Sequence, residues 1–380
     1  MKDIFYVGVN DHDIKLFEGQ YPVDNGMSYN SYVIIDDKVA VMDSVDKNFS
    51  HKWLYHIERV LKDRLPDYLI ISHMEPDHSG SIVEFVNKYP NTTLVSTDKS
   101  FKFLNQFYGE VKNNKLIVKE GDTLSLGNHT LKFVMAPMVH WPEVMFTYDE
   151  KENVLFSADA FGKFGTLDYD DPEGWACEAR RYYFGIVGKY GAQVQSVLKK
   201  ASALNIETIC PLHGPVLNDN LEYYLGLYDT WSKYEAESKG VFIPTSSVYG
   251  NTMEASELLA EKLKEKGIKA VVCDLNTDSM TEAFEDAFRY DRIVFASVTY
   301  NGTIFPSMNT FIEGLTERGF QNKKIGIIEN GTWAPMASKV ILEKLSKSKN
   351  IEVLDPVVKL TSKLDDNSIK QIEELANKLA

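Results

Sequence analysis

Residues 73 to 78 read His-Met-Glu-Pro-Asp-His, so His73, Glu75, Asp77 and His78 place four possible metal ligands in six positions. They follow Asp-Tyr-Leu-Ile-Ile-Ser at 67–72, an apolar run that reads as a strand. Titratable groups packed this closely repel one another and lose solvation unless a cation sits among them. Further candidates stand at the ends of later apolar runs: His140 in Met-Val-His-Trp-Pro-Glu, Asp159 in Phe-Ser-Ala-Asp-Ala-Phe-Gly, and His213 in Cys-Pro-Leu-His-Gly-Pro. Taken singly, a strand-end His or Asp is ordinarily a surface or capping residue. The cluster at 73–78 makes metal binding the better reading. His73, Glu75, Asp77, His140, Asp159 and His213 form the expected ligand set, with Asp159 available to bridge two ions. The set holds no thiolate, which argues against a structural zinc site. Imidazole mixed with carboxylate suits iron or manganese. A dinuclear site would hold its ions ~3.5–4 Å apart. His78 is expected to be a neighbouring non-ligand or a proton donor. Cys210 reads as core, and His51, His56 and His129 as surface residues.

A second group of residues points to a different ligand. After Gly-Val-Phe-Ile-Pro-Thr-Ser comes the hydroxyl-rich stretch Ser247, Val248, Tyr249, Gly250, Asn251, Thr252, and then a helical pattern. Such a loop binds phosphate through backbone N–H groups, hydroxyls and the helix dipole. Two more loops leave strand ends. One contains Ser297, Thr299, Tyr300, Asn301 and Gly302, and the other Asn330, Gly331 and Trp333. Aromatic residues beside a phosphate loop suit a planar ring, and FMN is the expected cofactor. Neither G-x-x-x-x-G-K-[ST] nor G-x-G-x-x-G occurs, so ATP and NAD lack their usual cradles.

The elements that must position these groups change rhythm along the chain. Residues 1–238 read as short strands with loops and some helix; Ser-Tyr-Val-Ile-Ile-Asp-Asp-Lys-Val-Ala-Val-Met-Asp-Ser is a hairpin signal. Residues 239–380 read as five βα units, which implies a doubly wound parallel sheet. Ligands of such sheets sit beyond the carboxyl ends of the strands.

Composition narrows the classes. The chain has 380 residues, 44% hydrophobic, with a formal net charge of -14. That balance excludes a general polyanion binder, so no nucleic-acid partner is expected. No stretch approaches the roughly 20 apolar residues of a membrane span, and the start lacks a signal-peptide core. The three cysteines, Cys177, Cys210 and Cys273, are widely spaced. A reducing, cytoplasmic setting is expected. No C-x-x-C occurs, so the chain carries no rubredoxin-like iron site of its own.

His-x-Glu-x-Asp-His after a strand, followed by distant His, Asp and His, resembles the metallo-β-lactamase fold. Glu75 in the second place, with His-Trp-Pro-Glu and Ser-Ala-Asp-Ala-Phe-Gly, resembles the flavodiiron proteins, a family of oxygen and nitric oxide reductases. The second half resembles flavodoxin, in the order that family uses. The resemblance covers essentially the whole chain. It implies an N-terminal metallo-β-lactamase-like αββα sandwich and a C-terminal flavodoxin-like domain with a five-stranded parallel sheet. It also implies a non-heme diiron site, one iron on His73, Glu75 and His140, the other on Asp77 and His213, with Asp159 bridging. Electrons would pass from an external donor such as rubredoxin through FMN to O2 or NO, in a head-to-tail homodimer or a tetramer. The alternatives are a zinc hydrolase fused to a flavodoxin-like module, which leaves the flavin loops idle, and a non-enzymatic electron carrier.

Overall fold

Side chains alternate across each strand of the first half, and both faces are apolar. In Tyr32–Ile35, Tyr32 and Ile34 enter one core while Val33 enters another. In Val39–Met42 the same split places Ala40 and Met42 on one side and Val39 and Val41 on the other. A period of two with both faces buried is the mark of a sheet covered on both sides. The computed structural model describes residues 1–380 and shows this arrangement.

Six strands form the first sheet, in the order Ile4–Tyr6, Tyr32–Ile35, Val39–Met42, Tyr68–Ile70, Thr93–Ser96, Lys115–Ile117. Five form the second: Thr123–Ser125, Thr130–Met135, Met145–Asp149, Val154–Phe156, Thr208–Cys210. Ile34, Met42, Ile70 and Val95 from the first sheet pack with Leu131, Phe133, Met145 and Phe156 from the second. Cys210 lies in this inter-sheet core, as its apolar strand implies. The outer face of the first sheet meets helix Ser50–Leu61, whose Trp53, Ile57 and Leu61 share one stripe. Each such side chain taken fully from water contributes about 1.5–3 kcal/mol.

The second half builds a parallel sheet in the order Ala270–Asp274, Ser238–Ser246, Tyr290–Tyr300, Lys323–Asn330, Ile351–Val353. Numbered by chain position this is 2-1-3-4-5, the flavodoxin-like order. The last position departs from expectation. It is shared by two short strands, Ile351–Val353 and Val358–Leu360, each parallel to Lys323–Asn330. Helix starts are set locally. Ser279 caps helix Met280–Arg289 by accepting from Glu282 N. Asp365 and Ser368 form a reciprocal pair at the start of Asp366–Leu379.

The chain divides into two compact units, Met1–Asp229 and Thr230–Ala380. The division falls within helix Leu221–Ser232 rather than between residues 238 and 239. The sequence reading put the junction where the strand rhythm begins. Residues 230–232 of that helix fall in the second unit.

Candidate metal centre and cofactor loops

Every expected ligand lies at one edge of the two facing sheets. His73 follows strand Tyr68–Ile70, and Glu75 precedes the short helix Pro76–Ser79, where Pro76 occupies the first position and needs no N–H partner. The turn of that helix presents Asp77 and His78. His140 lies between strands Thr130–Met135 and Met145–Asp149, and Met145 N donates to Ser72 O at 3.1 Å, tying the two sheets at this edge. Strands Val154–Phe156 and Thr208–Cys210 are parallel neighbours, so Asp159 and His213 emerge from the same end.

The side chains form two groups. His73, Glu75, His140 and Asp159 make one, and Asp77, His78 and His213 the other; within each, the ligand atoms lie within 4.8 Å of one another. Asp159 faces both. Its Oδ2 is 2.9 Å from His140 Nε2 and 3.4 Å from His73 Nε2. Its Oδ1 is 3.1 Å from His78 Nε2 and 3.8 Å from His213 Nε2. Glu75 Oε2 approaches His140 Nε2 at 3.0 Å and His73 Nε2 at 3.2 Å. Asp77 Oδ2 is 3.3 Å from Nε2 of both His78 and His213.

His78 lies within the second group. It is fully buried, and its Nε2 lies 2.9 Å from His213 Nε2, aimed at the same small volume as the ligands. The short helix turns the side chain inward, whereas the sequence alone leaves its direction open. His129 departs from the expected surface position. It is fully buried, with Nδ1 2.9 Å from Asp149 Oδ2 and Nε2 3.1 Å from Lys151 Nζ. His51 is exposed, and His56 is half-buried against Val7 and Gly8 carbonyls.

Partners behind the imidazoles were not legible in the sequence. His73 Nδ1 donates to Glu143 Oε1 at 2.8 Å, which leaves Nε2 as the lone-pair nitrogen facing the group. His213 Nδ1 donates to Ser28 O at 2.7 Å, with the same effect. Aromatic rings wall the cluster: Phe17, Tyr29 and Tyr182 against His213, and Trp141 against His73. Such walls lower the local dielectric and strengthen every charge interaction inside.

The residues fit cations. Both Asp77 oxygens, Asp159 Oδ1 and His78 Nδ1 are buried without a hydrogen-bond partner. Buried carboxylate oxygens in that state are costly unless a positive charge meets them. Burial raises the Asp159 carboxyl, but the His78 and His73 imidazoles outweigh it and hold it well below the usual range. Burial lowers His140, but Asp159 and Glu75 outweigh it and raise it to about 9. His73 and His78 are raised by the same competition. In the protein alone, protons balance the carboxylates, and a bound cation displaces protons from such a site.

The cofactor loops gather at the carboxyl ends of the central strands of the second unit. Gly250, at φ +90°, turns the chain from Ser246 into helix Asn251–Glu265. Asn276 Nδ2 donates to Ser247 O at 2.7 Å and Asn330 Nδ2 to Thr252 Oγ1 at 3.2 Å, fixing this loop to its neighbours. Asn301 and Gly302, both at positive φ, make the tight turn after Tyr290–Tyr300. Thr299 Oγ1 accepts from Met336 N at 2.9 Å. Ser297 is buried, and Gly331 N donates to Leu360 O. Over this polar floor the aromatics are exposed: Tyr249 is 91% exposed, Trp333 83%, and Tyr300, edge-on to Phe305, 45%. Exposed aromatic rings around an N–H-rich helix start are suited to stacking a planar ring whose phosphate sits below.

Fold and side chains together define a two-domain protein joining a β-lactamase-like domain with a His/carboxylate cluster to a flavodoxin-like domain. A family model described as ODP family beta lactamase matches residues 27–214, and one described as flavodoxin domain matches 242–354. An uncharacterised protein of Methanocaldococcus jannaschii is 30% identical over 81% of this chain and 79% of its own length. A nitric oxide reductase of Moorella thermoacetica is 28% identical over 99% of this chain and 96% of its own. The crystal structure of the flavodiiron protein from Giardia intestinalis superposes with a TM-score of 0.91 at 27% identity, covering 100% of this chain and 94% of that one. The chain belongs to the flavodiiron protein family.

Proposed function

We propose that this chain is a flavodiiron oxidoreductase that reduces O2 to water, NO to N2O, or both. In this reading His73, Glu75 and His140 would hold one iron, Asp77 and His213, with His78 beside them, would hold the other, and Asp159 would serve both. FMN lies against the loops at 247–252, 297–302 and 330–333, refilled by an external donor such as rubredoxin. When present, the irons would supply redox-active sites for the gas, and FMN would supply electrons. The likeness to a named nitric oxide reductase over nearly the whole chain supports the class of reaction.

The chain's own residues perform the remaining tasks. The single observation that carries the reading is the split orientation of Asp159, with Oδ2 toward His73 and His140 and Oδ1 toward His78 and His213. One carboxylate placed this way could serve two cations at once, the arrangement a dinuclear site needs. Glu143 and the Ser28 carbonyl fix His73 and His213 with Nε2 free to ligate. Phe17, Tyr29 and Tyr182 exclude water from the His213 side. The three cysteines are free and none lies in a C-x-x-C, which favours a rubredoxin-type donor lying outside these residues. A homodimer is the assembly we propose, as closed two-fold pairs are the commonest.

The test is composition followed by turnover. Protein purified from iron-replete cells should carry two irons and one FMN per chain and, once reduced, consume O2 or, without oxygen present, NO. Zinc in place of iron, with no reaction toward either gas, refutes the proposal.

A further inference from the structure

We propose that Ser28 and Asn30 are positioning residues that template His213, fixing both the path of its loop and the tautomer of its ring. The proposal rests on the reading of His213 as a ligand. Strand Met27–Tyr29 and the residue after it run beside the 211–214 loop, far away in sequence. His213 Nδ1 lies 2.7 Å from Ser28 O. A carbonyl only accepts, so Nδ1 carries the proton and Nε2 presents its lone pair to the cluster. Ser28 Oγ accepts from Gly214 N at 2.7 Å, holding the residue that follows. Gly214 sits at φ +78°, a turn that swings the chain away immediately after the imidazole.

Asn30 secures the same loop from both sides. Its backbone N donates to Leu212 O at 2.8 Å. Its side-chain Nδ2 donates to Pro211 O and to Gly214 O, each at 2.8 Å. Its Oδ1 accepts from Tyr6 Oη at 3.2 Å, so the amide orientation is set and both N–H groups are committed to the loop. Ser28 and Asn30 are themselves fully buried. Water therefore does not replace these bonds if the side chains are removed. His73 is held by a carboxylate; His213 is held by one short strand segment that grips the carbonyls on either side of it. Ser28 and Asn30 meet the cluster only at His213 and its loop, so both act through His213.

The experiment loads the full chain with ferrous iron and FMN, adds an excess of a colorimetric ferrous chelator without oxygen, and follows iron release. His213→Ala identifies which release phase belongs to its iron. In Asn30→Ala that phase should accelerate at least about tenfold, within the range outer partners of ligands give, while the other iron and the FMN content stay at wild-type values. Adding Asn30→Ala to His213→Ala should change the remaining iron no further. Ser28→Ala, the smaller perturbation if Asn30→Ala does not fold, should accelerate the same phase several-fold, and Ser28→Thr should restore it. Unchanged release, or equal acceleration of both irons, overturns the proposal. If the wild-type chain takes up no iron, the functional reading fails, and histidine 15N spectra decide the template separately. An Nδ1–H tautomer of His213 in the wild-type chain, with ring resonances displaced by Asn30→Ala, supports it; an Nε2–H tautomer in the wild-type chain, or ring resonances that Asn30→Ala leaves unmoved, overturns it.

Discussion

Glu143→Ala removes one carboxylate that serves two buried donors. Its Oε1 accepts from His73 Nδ1 at 2.8 Å and from Met74 N at 3.0 Å, and neither side chain of the His73–Glu143 pair reaches solvent. After truncation both donors are stranded, and each unpaired buried donor costs about 1–3 kcal/mol. Part of that cost falls on the fold and part on the iron, because His73 loses the group that orients its ring and raises its basicity. Outer partners of this kind are worth about 10–100-fold in metal affinity, or roughly 1.4–2.8 kcal/mol. The expected result is that the iron on the His73 side is released 10–100-fold more readily to a competing chelator, with FMN content unchanged. Glu143→Gln separates charge from geometry. Its amide oxygen still accepts both bonds, and the second oxygen of Glu143 has no partner to lose. The Gln variant should stay within about tenfold of wild type. If Glu143→Ala holds both irons as tightly as wild type, the argument that this carboxylate supports a ligand is wrong.

Three other outcomes follow from the same geometry. Asp159→Asn replaces a bridging anion by a neutral amide, and should leave at most one tightly held iron and lower gas reduction by more than ~100-fold with FMN retained, since a ligand outweighs its outer partners; iron analysis beside turnover checks it. Trp333→Ala removes a ring that is 83% exposed at the cofactor loops, and should weaken FMN binding about tenfold, as the loss of roughly 1.4 kcal/mol of stacking implies, read by fluorescence titration of the apoprotein. Lys323 is buried with its Nζ on the Phe288 and Tyr290 carbonyls, and burial pushes its amine down to about 7 from 10.5. Between those values the unfolded chain binds the extra proton, so stability rises with pH from about 7 toward 10.5, by up to about 1.4 kcal/mol per pH unit. Urea unfolding of wild type against Lys323→Met at several pH values should show the difference narrowing or reversing on that slope, and parallel curves would count against it.

The parallel sheet of the second half was readable because each βα unit repeats the same local signals: an apolar strand, a polar loop, a helix with one apolar stripe. The break of its last position into Ile351–Val353 and Val358–Leu360 was not, since two three-residue strands carry no periodicity. At the cluster, His73, Glu75, Asp77 and His78 declared themselves by crowding, while His140, Asp159 and His213 declared themselves by standing at strand ends. What supports them was hidden. Glu143 lies 70 residues from His73, and Ser28 lies 185 from His213. The closure of the two sheets brings Glu143 to His73, and the separate strand Met27–Tyr29 brings Ser28 to His213. His129 misleads for a related reason. The turn Gly-Asn-His-Thr is polar in sequence, but the pairing of Leu131 with Asp149 carries a carboxylate to the imidazole and buries both.

The most direct measurement is single-turnover stopped-flow spectroscopy of the fully reduced chain, mixed without oxygen against NO and separately against O2. Flavin reoxidation should appear within the mixing experiment for at least one gas when iron is loaded, and should slow by orders of magnitude when the iron is stripped and the FMN kept. Equal rates with and without iron, or no reoxidation by either gas, would contradict the account.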